Sequence, residues 1–243
     1  LRDINRAIYY YTRASKQNHI EAHFALGLIY LNELDVSPDY DKANHYLTLA
    51  ANYNHPKAQF LLGKMYLDQR SESSINKAIH YLKLAGDQNI AEAYFLLGFI
   101  YTNCLPQDMN TAIQYFKLAA RLSHPKALYV LGCIYYEGEY GLKDANKAIY
   151  YFNSAANLNE PNAYFYLGYI YHKGDSIIKQ DIDKAIYYYK LAANENLSDA
   201  YTNLGLIYYN GIDKVRDIQL AIIYFKHGSK LNDSESNFML GII

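Results

Sequence analysis

The sequence predicts an all-α protein of the α-solenoid class, built from antiparallel helix pairs with a period of about 36 residues. Three observations support this. A Leu-Gly motif, followed by an apolar residue and Tyr, recurs at glycines that step by 36, 35, 34, 36, 37 and 36 residues: Gly27, Gly63, Gly98, Gly132, Gly168, Gly205 and the incomplete Gly241. An Ala lies 20 residues before each of these glycines. Apolar residues around both landmarks follow helical spacing, and self-similarity at such a period is typical of solenoids.

The Ala landmark divides each repeat into a constant and a variable part. The segment from Ala to Gly is constant, whereas the segment from Gly to the next Ala varies from 14 to 17 residues. We therefore expect the constant segment to be a packed helix-turn-helix unit and the variable segment to contain a surface loop. We call the helix around the glycine helix A and the helix around the Ala helix B.

Helix B is predicted from its N-cap and its apolar stripe. An Asp or Ser stands four residues before each Ala, and such side chains accept hydrogen bonds from the free N–H groups of a first turn. The predicted caps are Asp3, Asp39, Ser74, Asp108, Asp144, Asp181 and Asp217. An aromatic or Leu pair follows the Ala, and a pair of small residues ends the stripe. The predicted helices B cover residues 3–17, 39–53, 74–88, 108–122, 144–158, 181–195 and 217–231.

Helix A is predicted from proline at its start and glycine at its end. Pro56, Pro125 and Pro161 suit the first helical position, where the missing N–H would be unpaired anyway. Gly138 and Gly174, with Gly211, stand where left-handed C-caps are expected. The predicted helices A cover residues 20–32, 56–69, 91–103, 125–137, 161–173, 198–210 and 234–243.

Composition restricts the classes of function. The formal net charge is −1, which gives no field toward nucleic acid or an anionic membrane, and no apolar run is long enough to cross a bilayer. Cys104 and Cys133 occupy non-equivalent repeat positions, so we expect two free thiols and a reduced compartment such as the cytoplasm. The chain starts at Leu1 and its pattern starts and stops in mid-repeat. We therefore expect residues 1–243 to be a single array, about six full repeats with incomplete ends, from a longer protein.

At this level of detail the chain resembles the Sel-one-like repeat family, a relative of the tetratricopeptide repeat. Unit five carries the pattern Lys147-Ala148, Tyr151-Phe152, Ala155-Ala156, Ala163, Leu167-Gly168, Tyr171 and Gly174. The likeness covers nearly the whole chain, with Tyr where the family often has Trp. It implies a right-handed superhelix of antiparallel helix pairs that serves as a protein-interaction scaffold.

The sequence contains no arrangement that indicates catalysis, a metal or a cofactor. His19 and His23 are four residues apart but straddle a helix start and lack the Glu of a His-Glu-x-x-His motif. His55 and His124 are equivalent turn residues before proline, so the repeat explains them. Each Leu-Gly glycine lies inside a helix pattern and not in a phosphate-binding loop. We therefore expect a protein that is not an enzyme.

The candidate partner-binding residues lie on the face of helix A opposite its packing face. At about 100° per residue, positions −6, −2, +1 and +5 from the glycine share that sector, with +4 at its edge. These positions vary between units, as a partner-reading surface of a repeat protein does. The family resemblance makes this face a concave groove. The candidates are Lys64, Phe99, Asn103, Tyr136, Tyr166, Tyr169, His172, Lys173 and Tyr209.

The predicted function is a non-catalytic scaffold that presents a Tyr-rich groove to a peptide or protein. Some of these aromatic side chains could equally pack against the neighbouring repeat. One alternative is an architectural module, or one that self-associates through exposed terminal repeats. A second is single-stranded RNA binding, because a period near 35 also fits pentatricopeptide arrays, although those usually have a basic surface.

Overall fold

The computed structural model describes residues 4–31, 38–104, 108–138, 141–174, 177–211 and 216–243. They form fourteen α-helices and no strand, so the predicted all-α fold of the solenoid class is confirmed. The chain divides into two compact units, Leu1–Leu122 and Ser123–Ile243. That all 243 residues form a single array stays a prediction.

The first unit contains seven helices: α1 Ile4–Ser15, α2 Ile20–Leu31, α3 Tyr40–Asn52, α4 Pro56–Asp68, α5 Glu72–Asp87, α6 Ala91–Asn103 and α7 Met109–Arg121. The second unit also contains seven: α8 Pro125–Glu137, α9 Ala145–Ala156, α10 Pro161–Lys173, α11 Ile182–Asn194, α12 Ser198–Asn210, α13 Ile218–Lys230 and α14 Ser234–Ile242. Odd-numbered helices are helices B and even-numbered helices are helices A.

A left-handed residue explains the constant spacing from helix B to helix A. Asn54 has φ 63°, and the next residue, His55, donates its backbone N–H to the carbonyl of Ala50 (3.2 Å). This bond belongs to the Schellman type of helix end, which fixes how many residues lie between the two helices. Every such turn has an equivalent residue with φ between 58° and 66°: Asn18, Asn89, Ser123, Asn159, Asn196 and Asn232.

Helices α2–α6 and α9–α13 each pack against two neighbours along the chain, and one of the two interfaces is more extensive. Helix B does pack against the next helix A, for example α3 against α4 and α9 against α10. The most extensive contacts, however, join helix A to the helix B that follows the variable loop: α2 to α3, α4 to α5, α6 to α7, α8 to α9, α10 to α11 and α12 to α13. The constant segment is therefore a packed helix-turn-helix unit, as expected, but the more extensive interface lies across the variable loop.

Glycine makes this A-to-B approach close. A Cβ added at Gly98 would lie 2.5 Å from the ring of Phe116 on α7. In the other five pairs, a Cβ on the helix A glycine would lie 2.5–2.7 Å from a large helix B side chain: Leu47, Leu82, Phe152, Tyr189 or Phe225. These five side chains are completely buried. The glycine is needed because a large side chain of the partner helix occupies the space of its Cβ.

A stacked tyrosine pair joins the same two helices in every A-to-B pair. The Tyr three residues after the glycine stacks on a helix B Tyr, with ring centroids 5.5–5.9 Å apart and ring planes within 18° of parallel. The pairs are Tyr30 with Tyr46, Tyr66 with Tyr81, Tyr101 with Tyr115, Tyr135 with Tyr151, Tyr171 with Tyr188 and Tyr208 with Tyr224. In four pairs the Lys before the Ala places its ammonium 4.9–5.3 Å from the helix A ring. The recurrent Lys-Ala landmark thus includes a cation–π contact.

Most predicted helix ends are confirmed. The side chains of Asp39, Asp108, Asp144, Asp181 and Asp217 accept the N–H of the residue three positions later, at 2.9–3.0 Å. Asp3 lies outside the described residues. The prediction for Ser74 was wrong, because α5 begins one turn earlier, with Ser71 as N-cap and Ser74 completing a capping box.

Two of the three predicted left-handed glycine C-caps of helices A are confirmed. Gly138 and Gly211 are left-handed C-caps, as predicted. Gly174 instead has φ 61° and ψ 166°, a conformation that is essentially restricted to glycine. Pro56, Pro125 and Pro161 are the first residues of their helices, as predicted.

The glycine contact predicts opposite outcomes at two equivalent positions. Gly98→Leu should destabilise the protein by about 1–3 kcal/mol or more, because the new side chain must displace the Phe116 ring. Gly241→Leu is the matched control, since a Cβ there has no heavy atom within 4 Å, and it should not destabilise. Urea denaturation followed by circular dichroism measures both. Equal unfolding midpoints for the two variants would contradict the proposed role of the glycine.

Candidate partner-binding surface

The variable face is the set of helix A positions −6, −2, +1, +4 and +5 from the glycine. The opposite side of the same helices is buried, as α6 shows: Ala93, Leu97 and Ile100 are fully buried whereas Phe99 and Asn103 are exposed. The helical period of the sequence therefore separates the packing face from the variable face as predicted.

In the first unit, three predicted residues line clefts that lie between this face and the start of a helix B. Lys64 on α4 belongs to a cleft of about 590 Å³, whose apolar lining is Leu28, Leu31, Leu61 and Met65. Phe99 and Asn103 on α6 belong to a second cleft of about 500 Å³, together with Leu67, Arg70, Ile75 and Cys104. Asp68 lines both clefts. The structure thus brings Phe99 and Asn103 together and places Lys64 one repeat away.

The side chains of these three residues remain available to a partner. Phe99 is 44% exposed, so a large part of its ring can contact a partner. Asn103 is exposed and bonds to the carbonyl of Phe99 through its side-chain amide (3.1 Å). Lys64 is exposed, and its ammonium lies 5.7 Å from the ring centroid of Phe60.

In the second unit, three predicted tyrosines form one aromatic cluster. The ring of Tyr136 on α8 meets Tyr166 and Tyr169 on α10 edge to face, with centroids 6.2 and 6.3 Å apart. Tyr166 also stacks on Phe152 of α9 at 5.1 Å. All three tyrosines are half-buried. They therefore join neighbouring repeats, in agreement with the alternative interpretation of these aromatics as packing residues.

The other predicted residues of this unit have different surroundings. Lys173 is exposed and extends over the Tyr169 ring at 5.9 Å. His172 meets Tyr189 edge to face at 6.1 Å, and burial, together with Lys173, lowers the pKa of His172 below its ordinary value. Its Nδ1 is buried without a hydrogen-bond partner in the described part of the chain. Tyr209 packs against the core formed by Ala221, Phe225 and Met239 instead of against the aromatic cluster.

Sequence reasoning missed Tyr129 and the part that Cys133 plays in this cluster. Tyr129 lies 5.7 Å from Tyr166 by ring centroids. Burial, followed by the influence of the nearby Cys133 side chain, raises the pKa of both tyrosines. Burial raises the pKa of Cys133 to about 11, so its thiol is protonated at neutral pH. The signal was the column three residues before the glycine, which is aromatic except at Thr202: Phe24, Phe60, Phe95, Tyr129, Phe165 and Phe238. Tyr129 is its one hydroxyl-bearing aromatic member.

No described helix combines the length and apolarity that a membrane span requires. Within the described ranges, no three His, Cys, Asp or Glu side chains group closely enough to hold a metal ion. Cys104 and Cys133 are free thiols, as predicted.

The fold and this face define a helical-repeat protein. Its sequence matches the Sel1 repeat model seven times in succession, at residues 1–19, 20–55, 56–90, 91–124, 125–160, 161–197 and 198–233. The chain belongs to the Sel1 repeat family, as the resemblance predicted. Each matched repeat from residue 20 onward contains one helix A and the following helix B, which is the closest pair in the structure.

Solved structures show the same fold. A Sel1 repeat protein from Oxalobacter formigenes is 31% identical, with a TM-score of 0.72 over 88% of this chain and 89% of that one. A protective antigen of uropathogenic Escherichia coli, which displays an SLR fold, is 22% identical with a TM-score of 0.89. The alignment covers 99% of this chain but 52% of the antigen, so the chain spans about half of that protein's length. The search of curated proteins found no match.

Packed and exposed residues of the variable face should differ in how much their replacement lowers the free energy of unfolding. Tyr166→Ala should lower the free energy of unfolding by about 2 kcal/mol or more, because it removes aromatic contacts across three helices. Phe99→Ala should cost less than about 1 kcal/mol, since much of that ring already faces solvent. Urea denaturation of both variants against the unsubstituted chain gives the comparison. A larger loss for Phe99→Ala would reverse the assignment of packing and surface roles.

Proposed function

We propose that this chain is a non-catalytic scaffold that binds a peptide or protein through the variable face of its helices A. Sel1 repeat proteins typically mediate protein–protein interaction, and the family is generally a non-catalytic scaffold fold. The observation that carries the proposal for this chain is the exposed Phe99 ring. It borders a cleft whose rim includes Asn103, Asp68 and Arg70.

A residue set of this kind suits recognition of a peptide. Aromatic side chains provide a large contact area at low entropic cost, and truncating an anchor residue in an interface commonly costs more than about 2 kcal/mol of binding free energy. The polar groups around Phe99 can orient a bound backbone. Because the supporting helices are already held by buried contacts, little ordering cost falls on the protein side of the complex.

In the second unit we assign the contact role to Lys173 and to the outer edge of Tyr169. Tyr136 contacts the Tyr169 ring directly, and Tyr166 contacts Tyr136 in turn. His172 and Tyr209 belong to the proposed surface only as neighbours, because they pack against Tyr189 and against the Phe225 core, respectively.

The proposal predicts that binding depends on the variable face and not on the exposed tyrosines of helix B. Peptides selected from a random display library on the purified chain provide defined ligands. Phe99→Ala, and separately Lys173→Ala with Tyr169→Phe, should weaken selected peptides about tenfold or more, whereas Tyr187→Ala should not. Tyr187 is a suitable control because it is 58% exposed on α11. Isothermal titration calorimetry measures the affinities, and circular dichroism checks each fold.

Two results would contradict this function. Peptides lost with Tyr187→Ala but kept with Phe99→Ala and with the Lys173/Tyr169 substitutions would move the site to helix B. A library that yields no specific peptide at any tested concentration would argue against peptide recognition. Single-stranded RNA is not favoured by the net charge of −1, and a salt-dependent gel shift would be needed to support it.

Self-association is a second candidate, favoured by the two outermost helices. Gly241 on α14 has no heavy atom near its missing Cβ, unlike the six equivalent glycines. On α1, Tyr11 is 40% exposed although its equivalents on the other helices B are buried. Among the described residues, α14 therefore has no following helix B, and α1 has no preceding helix A.

The uncovered face of α14 is of the kind that packs against a helix B, and α1 is a helix B. We therefore expect head-to-tail association of the 243-residue chain at high concentration. Light scattering after size exclusion should show a mass that increases with concentration, and Tyr11→Asp should abolish the increase. A constant monomer mass from about 1 to 200 μM would exclude self-association through these helices.

A further inference from the structure

His23 occupies a site that no other histidine of the described chain shares. It lies on α2 and is 2% exposed. Its Nδ1 is 2.9 Å from Oγ of Ser15, the last residue of α1, and its ring is parallel to that of Tyr53 at the end of α3, with centroids 6.2 Å apart. Its other ring nitrogen, Nε2, is buried and has no hydrogen-bond partner in the described part of the chain.

The repeats show what else this position accepts. The residue four positions before the glycine is also buried at Gln59 and Leu128. Gln59 satisfies its amide through the carbonyl of Ala51 (3.3 Å) and the side chain of Asn54 (3.1 Å), and Leu128 has no polar atom in its side chain to satisfy. A titratable group with an unpaired nitrogen is thus not required for packing at this position.

Besides burial, two neighbouring side chains lower the pKa of His23, and both are basic. They are His19, in the turn before α2, and His45 on α3. Ser15 and Tyr53 are its neutral contacts on the flanking helices. Glu21 is directed to another histidine, with its carboxylate 3.5 Å from Nε2 of His55. Within the described part of the chain, an imidazolium at His23 would therefore be a buried cation with an N–H that has no acceptor, and the two nearby histidines disfavour its charge further.

We propose that His23 is a proton-sensitive latch between α1 and α2. In the neutral state the imidazole packs between Ser15 and Tyr53 and holds the end of α1 against α2. Uptake of a proton favours an open state in which α1 separates from α2 and the imidazolium reaches water. This regulatory role is independent of the variable face and of its proposed function.

The direction of the effect follows from linkage. Burial, followed by the influence of His45 and His19, lowers the pKa of His23 below 6.5. In the open state the imidazole has its ordinary pKa of about 6.5. Between these two values the open state binds more protons, so the closed state loses stability as pH falls. Well above pH 6.5, His23 is neutral in both states and contributes no pH dependence.

Hydrogen exchange on the full chain tests the latch directly. Protection factors of α1 amides, corrected for the intrinsic exchange rate, should fall by up to about tenfold between pH 7.5 and pH 5.5, the limit for a group of ordinary pKa 6.5. His23→Gln should remove this dependence, since Gln59 is buried at the equivalent position. His80→Gln, which removes an exposed histidine of α5, should leave the dependence as it is in the unsubstituted chain.

Further measurements keep the proposal falsifiable if His23→Gln folds poorly. His23→Leu follows the precedent of Leu128 and should also abolish the pH effect. In the unsubstituted chain, NMR titration of the imidazole should show His23 neutral while α1 is protected. An imidazolium at His23 in a fully protected α1, unchanged protection at pH 5.5, or a pH effect that persists in a folded His23 variant would each overturn the proposal.

Discussion

The close contact between each helix A glycine and a large side chain of the following helix B is the constraint on which the rest of this structure depends. Glycine within a helix costs about 1 kcal/mol relative to Ala. Here that cost is offset, because removing the Cβ lets side chains such as Phe116 and Tyr189 enter the space beside the backbone and become buried. The two helix axes can then approach closely enough for the helix A tyrosine to stack on the helix B tyrosine. The variable loop tolerates different lengths because this interface, and not the loop, sets the helix pairing.

The same contact decides which residues are free to vary. Each helix A packs through its glycine, Leu and Ala, which leaves the opposite side of the helix at least partly exposed to solvent. Phe99 and Lys173 lie on that side and are exposed. Tyr136, Tyr166 and Tyr169 are intermediate between packing residues and surface residues. Their rings form one cluster across two helices, and each remains partly exposed. A partner-binding surface on this fold therefore combines exposed residues with aromatic residues that support them from the neighbouring repeat.

Much of the architecture could be predicted because local signals repeat seven times. The Asp caps, the prolines at first helical positions and the helical period located nearly every helix to within a few residues. Prediction failed where two local signals compete or where long-range contacts decide. Ser71 and Ser74 are both good caps, and the sequence pattern does not rank them. The closer partner of each helix, and the burial of Tyr166 compared with Phe99, depend on side-chain packing between repeats, which a periodic pattern does not encode.

A residue that differs in type from those at the same position of the other repeats is informative, because the other repeats show what packing alone requires at that position. At Thr202 the aromatic column is interrupted, and the space is occupied by a polar network in which its hydroxyl lies 2.7 Å from both Asp233 and Ser236. Tyr129 introduces a hydroxyl into the same column, and burial together with the nearby Cys133 side chain raises the pKa of that hydroxyl. His23 introduces a titratable ring where Gln and Leu also fit. Because each substitution keeps the helix contacts and changes only the chemistry, these positions can acquire individual properties without loss of the common fold.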